Sequence, residues 1–240
     1  MGSRHSISLL AVALIAGGSL PQTSQLAAQR PVTIGQPLPD FTLPALQGGQ
    51  ITLSSFRGKT VMLVFPRGKS GGGWCHVCHY QYAELAEFDE QRGMRANHEV
   101  EILFVLPYGG EMVQEWADAF PAQLQDIEDW KNPPDQANLD ERQRRRMETV
   151  RRYYPKRFDY DAGSVRLPFP VLIDADRAIS QQLGLFTTNW GGAEVEQNVP
   201  TIFILDGEGI VQFKYHSQNT LDRPGPEYLL RVVENLVSNG

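Results

Sequence analysis

Residues Gly71–Tyr80 read GGGWCHVCHY, and the pair Cys75 and Cys78 inside them admits two chemistries. As C-x-x-C-H the stretch is the attachment pattern of a c-type haem, with His79 as axial ligand; as W-C-x-x-C it is a dithiol that exchanges electrons with other sulfurs. The flanking sequence bears on the choice. Upstream, TVMLVF (Thr60–Phe65) is an unbroken β-branched and aliphatic run, the pattern of a strand covered on both faces. Downstream, Cys78, Tyr82, Leu85 and Phe88 recur at helical spacing and Gly93 supplies a stop. A second apolar run, VEILFVLP (Val100–Pro107), completes a β-α-β unit whose connecting helix implies parallel strands.

Further out, PDFTLPALQGGQITLSSF reads as a hairpin turning at Gly48 and Gly49. After the second strand, Met112, Trp116 and Phe120 align on a helix that Pro121 is expected to end. Residues 123–167 are polar, charged and broken by prolines. They read as a helical insertion, with one helix over about Leu139 to Tyr154 whose arginines, Arg142 to Arg146 with Arg151 and Arg152, form a solvated face. FPVLIDADRAISQQLG then gives a strand and a short helix ending at Gly184. NVPTIFILDGEGIVQFKYH gives an antiparallel hairpin, and GPEYLLRVVENLV a closing helix. No internal repeat is present.

The 240 residues are 41% hydrophobic and 21% charged, enough for one packed core. A net charge of -6 argues against a nucleic-acid surface, which needs clustered cations on a basic domain. At the N-terminus Arg4 and His5 precede the apolar run Ile7–Gly18, the order of a secretory signal peptide removed after about Ala28. The run is too short for a stable membrane span, so membrane attachment is open only through an uncleaved leader. The expectation is an exported, periplasmic or extracytoplasmic protein: leader 1–28, then one domain over 29–240. Its only cysteines are three residues apart, and closing so short a loop constrains the unfolded chain little. Reactivity, rather than stapling, explains the pair.

A helix start gathers unpaired N–H groups and partial positive charge, both of which favour a thiolate. Cys75 is therefore expected to be the exposed, low-pKa nucleophile, and Cys78 the buried thiol that resolves the mixed disulfide. His76, between them, either adds positive charge beside Cys75 or faces solvent. Trp74 either shields the sulfur or packs, and Trp190 is a candidate opposite wall. Gly71–Gly73 read as a mobile loop to which Arg67 and Lys69 lend positive potential.

WCHVC after TVMLVF, with NVPTIFILDGEGIV more than a hundred residues later, resembles the thioredoxin-like superfamily. More narrowly, IGQPLPDFTLPALQGGQITLSSFRGKTVMLVF and FPVLIDADRAISQQLGLF resemble its redoxin branch, which includes the alkyl hydroperoxide reductase and thiol-specific antioxidant proteins. The resemblance implies an α/β fold with a mixed sheet flanked by helices, an N-terminal β-hairpin and the insertion before the third parallel strand. It also implies that Pro200 is a cis-proline facing the disulfide and that Val199 offers its backbone to an incoming peptide. Two positions depart from the pattern. Peroxidatic members carry Thr or Ser three residues before the reactive cysteine, where this chain has Gly72. Exported reductases often carry an acid three residues after the second cysteine, where this chain has Gln81.

Thiol-disulfide exchange through Cys75 and Cys78 is the leading reading, with a thiol peroxidase using Cys75 as the alternative. It needs no organic cofactor and no metal. Its partners are protein thiols or disulfides and a dithiol reductant or oxidant. Two other readings stay open: a haem carrier with His79 and one of Met94, Met112 or Met147 as ligands, and a copper carrier using both cysteines and His216. RGKS lacks the earlier glycine of a phosphate loop, since Leu63 stands there.

Overall fold

The computed structural model describes residue 2, residues 31–160 and residues 166–239. The leader expected over 1–28 lies outside the described residues apart from Gly2. The elements in chain order are β1 (Thr42–Pro44), β2 (Gln50–Thr52), β3 (Thr60–Phe65), β4 (Lys69–Ser70), β5 (Gly73–Trp74), α1 (His76–Arg92), α2 (Met94–His98) and β6 (Val100–Leu106). They continue with α3 (Gly110–Asp118), α4 (Phe120–Lys131), α5 (Glu141–Tyr153), β7 (Val171–Ile173), α6 (Ala178–Gln182), β8 (Phe186–Thr187), β9 (Gln197–Asn198), β10 (Thr201–Leu205), β11 (Val211–His216) and α7 (Pro226–Asn239).

Five strands form one mixed sheet in the order β11-β10-β3-β6-β7. β3 pairs parallel with β6, and β6 parallel with β7; β10 is antiparallel to both β3 and β11. Successive side chains of a strand leave on opposite faces, so an all-apolar strand must feed two cores. On β3, Met62 and Val64 join the core under α1, α4 and α7, while Val61, Leu63 and Phe65 join the core under the β1–β2 hairpin and α6. β10 divides the same way, Ile202 and Ile204 against Phe203 and Leu205. This is the mixed sheet flanked by helices that the resemblance implied.

α1 ends where expected. Gly93 adopts the left-handed conformation, φ 62° and ψ 40°, and its N–H closes the last turn on Asp89 O at 2.7 Å. α1 is more deeply buried than its apolar stripe predicts, since His79, Tyr80 and Gln81 are buried with Cys78, Tyr82 and Leu85. The reason is the insertion, which covers the helix's second face. Tyr80 packs edge-on against Tyr154 (4.9 Å) and Phe158 (5.1 Å), and Lys156 N–H donates to Tyr80 Oη at 2.9 Å. Lys131, buried, donates to the carbonyls of Tyr154 and Lys156 and ties the end of α4 to the exit of α5.

Two expectations are corrected. Pro121 does not terminate a helix: α3 stops at Asp118, and Pro121 lies in the first turn of α4, where its missing N–H costs nothing. The segment Gly71–Gly73 is not an open loop: β4 and β5 form a small hairpin, Lys69 opposite Trp74 and Ser70 opposite Gly73, that turns at Gly71 and Gly72.

Candidate active site

Cys75 caps the N-terminus of α1, one residue beyond β5, and Cys78 lies in the first turn. The β4–β5 hairpin folds out of the path between β3 and α1. It leaves Gly68 beside Cys75, whose N–H donates to Gly68 O at 2.9 Å. The loop that reads as long in sequence is therefore short in space. Gly68 is obligatory there, with φ +81° and an added Cβ 2.4 Å from the Tyr108 ring. Tyr108 holds the site's two loops together: its Oη accepts from Lys69 N–H (2.8 Å) and donates to Glu196 O (2.8 Å).

Neither sulfur is exposed: Cys75 is 3% accessible and Cys78 fully buried. This corrects the expectation of an exposed Cys75, because α5 and the 190–193 turn cover the helix start. The charge is also placed differently. The two thiols share a hydrogen bond, and Cys75 keeps its proton: that bond, burial and the neighbouring Cys78 charge raise its pKa well above the usual thiol value. Burial pushes Cys78 upward too. The bond from Cys75, the Arg223 charge and the Gly68 and Arg67 backbone outweigh it and bring Cys78 down to about 6. Arg67 N–H donates to Cys78 Sγ at 3.2 Å. The first-turn amide of Cys78 does favour a Cys75 thiolate but is outweighed there, and the N–H groups on the Cys78 sulfur come from the loop, at Arg67 and Gly68.

Cys75 lines a cavity of about 500 Å³. Val77 and Trp130 form part of its wall, α5 contributes Arg146, Thr149 and Val150, and the turn at Gly191 and Gly192 borders it with Leu221. Arg67, buried, anchors that turn: Nε donates to Gln197 Oε1 (2.6 Å), Nη2 donates to Trp190 O (2.9 Å), and the guanidinium lies over the Trp190 ring at 5.2 Å. Trp190 thus supports the wall rather than forming it. Behind the thiols, Arg223 is 8% exposed in its side chain. Its Nη1 donates to Ser217 Oγ (2.9 Å) and Asp222 O (3.1 Å), whereas Nε and Nη2 have no protein partner.

Other candidates fall into place by their partners. His76 Nε2 lies 2.9 Å from Asp126 Oδ2 and its ring 4.4 Å from Trp130, so it bridges α1 to α4 while lining the same cavity as Cys75. Trp74 packs edge-on against Tyr108 at 5.5 Å, with Lys69 Nζ 3.9 Å above its ring. His79 is fully buried, Nδ1 3.1 Å from Cys75 O and Nε2 2.9 Å from Trp116 O. Both nitrogens face carbonyls, and neither is free to bind a haem iron. His216 Nδ1 is 2.8 Å from Thr201 Oγ1, on β11. Among the described residues no group of three or more His, Cys, Asp or Glu is placed to hold a metal ion.

Thr201 pairs with Phe65, which puts Pro200 beside the exit of β3 toward the cysteines. No peptide bond among the described residues is cis, so Val199–Pro200 is trans, correcting the assignment that the resemblance implied. Val199 N–H donates to Leu185 O at 2.8 Å, and Val199 O accepts from Thr201 Oγ1 at 3.0 Å. Its N–H is therefore already engaged within the chain. Sequence reasoning missed Trp130, Val150, Tyr154 and Arg223. Val150 is the one buried residue of an arginine-rich helix, a local signal; the lone loop arginine Arg223 has none.

The family model described as AhpC/TSA family matches residues 34–214. Among solved structures, Mycobacterium tuberculosis AhpC superposes with a TM-score of 0.53 at 20% identity, covering 88% of this chain and 96% of that one. The reduced 2-Cys peroxiredoxin of Plasmodium vivax gives 0.51 at 18%, over 86% and 97%. A cysteine-to-serine mutant of peroxiredoxin 6 from Arenicola marina gives 0.52 at 14%, over 85% and 73%. No curated protein matches the chain.

Proposed function

The chain belongs to the AhpC/TSA family, and on that premise we propose that it is a thiol peroxidase in which Cys75 attacks the peroxide and Cys78 resolves the product. This is the alternative, not the leading, reading of the sequence. The observation that carries it is the burial of Cys75 against a cavity. A protein disulfide cannot approach a sulfur 3% exposed, whereas a hydroperoxide can enter about 500 Å³.

The pair carries one negative charge near neutral pH, at rest on Cys78 and movable to Cys75 along the hydrogen bond between the sulfurs. As Cys78 takes the proton, Cys75 sulfur attacks the terminal peroxide oxygen. The O–O bond breaks, giving a Cys75 sulfenic acid and an alkoxide, or hydroxide from hydrogen peroxide. The leaving oxygen takes the proton back from Cys78, and the renewed Cys78 thiolate attacks the Cys75 sulfenic sulfur. That step expels hydroxide and closes the disulfide. Two electrons leave the thiol pair for one alcohol and one hydroxide, and a dithiol small enough to enter the same cavity restores the pair. Arg223, with two unpartnered N–H sites and its charge acting on both sulfurs, stabilises the anionic stages. Export belongs to the same proposal and is supported by the apolar run Ile7–Gly18.

The test is peroxide consumption with dithiothreitol as reductant. Wild type is expected to turn over. Cys75→Ser consumes nothing, and Cys78→Ser, assayed without dithiothreitol, consumes one equivalent and leaves a sulfenic acid that dimedone traps. Reduction of insulin disulfides without any peroxide consumption would overturn the proposal in favour of dithiol exchange.

A further inference from the structure

The cavity over Cys75 is far larger than hydrogen peroxide needs. Its volume of about 500 Å³ falls in the range that encloses small organic ligands. Val77, Trp130, Val150 and Leu221 make one side apolar, suited to a carbon skeleton. Its cations are unequal in what they have left to offer. Arg67 is buried and fixed in the wall by Nε on Gln197 and Nη2 on the Trp190 carbonyl, and Arg223 lines a separate, smaller chamber of about 110 Å³. Arg146 differs from both. It is exposed on α5, lines the cavity, lies 5.4 Å above the Trp130 ring and pairs with no carboxylate among the described residues. Asp126 of α4 is engaged by His76, which lines the cavity, at 2.9 Å.

We infer that this cavity selects organic hydroperoxides bearing a carboxylate: the peroxide reaches Cys75, the carbon frame lies on Trp130, Val150 and Leu221, and Arg146 receives the acid. The inference rests on the peroxidase reading and specifies its substrate. The chemistry is unchanged. The thiol pair supplies two electrons, the O–O bond gives the hydroxy acid and hydroxide, and the carboxylate stays intact at Arg146. The insertion thereby gains a role, since α4 supplies the aromatic floor and α5 the cation. The stacked geometry presets the guanidinium, which lowers the cost of ordering it on binding.

The experiment compares cumene hydroperoxide with its para-carboxy derivative under steady-state turnover. Wild type is expected to favour the carboxylated substrate about fivefold in kcat/KM, the effect of one exposed charge pair. In Arg146→Gln the preference falls to about one through a higher KM, and Arg146→Lys recovers most of it. Arg142→Gln, on the same helix but outside the cavity, keeps the preference. Equal rates on both hydroperoxides in wild type, or a preference that survives in Arg146→Gln, would overturn the inference. A second measurement separates it from the peroxidase reading: titration with the unreactive para-carboxy cumyl alcohol, followed by tryptophan fluorescence. Saturable quenching in wild type that weakens about fivefold in Arg146→Gln supports the acid subsite even if no peroxide is consumed. Quenching that is equal in the two proteins, or absent from both, overturns it.

Discussion

Acidification should unfold this protein partly through His79. The imidazole is fully buried between two carbonyls, Cys75 O at 3.1 Å and Trp116 O at 2.9 Å, and a neutral ring has one N–H to share between them. A proton would satisfy both acceptors, yet burial dominates and lowers the pKa from 6.5 to about 4. The unfolded chain therefore binds this proton near 6.5, and the folded chain only near 4. Between those values the unfolded state holds more proton, so stability present above the upper one drains away as pH falls to the lower. The interval is worth about 3 kcal/mol, a large part of the roughly 5–15 kcal/mol that holds an ordinary domain. The assay is urea denaturation of the reduced protein from about pH 7 to about pH 4, beside His79→Gln, which cannot titrate in this range. Wild type should lose about 3 kcal/mol more than the variant. Asp40, lowered by its bonds to Ser54, and Glu84, raised by burial, act alike in both proteins and cancel in the difference. Parallel profiles would refute the claim that this imidazole is buried and neutral.

Peroxide consumption should rise with pH through about 6, where Cys78 loses its proton and the pair acquires its charge. A rise placed instead near 9, the ordinary thiol value, in single-turnover kinetics would show that Arg223 and the Arg67 amide do not act as described. Gly68→Ala should cost about 3 kcal/mol, because it forces a side chain into a left-handed backbone and against the Tyr108 ring. Gly72→Ala, with nothing within 4 Å of the new Cβ, should shift the denaturation midpoint little. Tyr108→Phe leaves Lys69 N–H and Glu196 O without their partner, costing about 1–3 kcal/mol. Limited proteolysis should then cut the β4–β5 hairpin faster than in wild type, and equal cutting would contradict the pinning role.

Local sequence settled those features of this chain that local chemistry controls. Thr60–Phe65 and Val100–Leu106 are apolar at every position except the part-buried Thr60 and Glu101, and only a strand between two cores accepts such a run. Gly93 marked the end of α1 because its left-handed φ of 62° suits no other residue as well. The two cysteines marked the candidate redox site because a pair three residues apart has little structural use. The spacing that put Cys78 on the buried face of α1 was equally legible.

What those cysteines can reach was decided elsewhere. Exposure depends on what covers the helix start, and the cover comes from α5 and the 190–193 turn, segments remote in the chain with no apolar run to announce their docking. Burial against them leaves Cys75 3% accessible. The bond from Cys75, with the Arg223 charge and the Gly68 and Arg67 backbone, lowers the Cys78 thiol, and Arg223 comes from far along the chain. His79 completes a haem-attachment pattern on paper, but packing turned both its nitrogens onto carbonyls. A motif states which atoms are present, and electrostatics and access are sums over every neighbour within several ångströms. Most of those neighbours are brought together only by the folded chain.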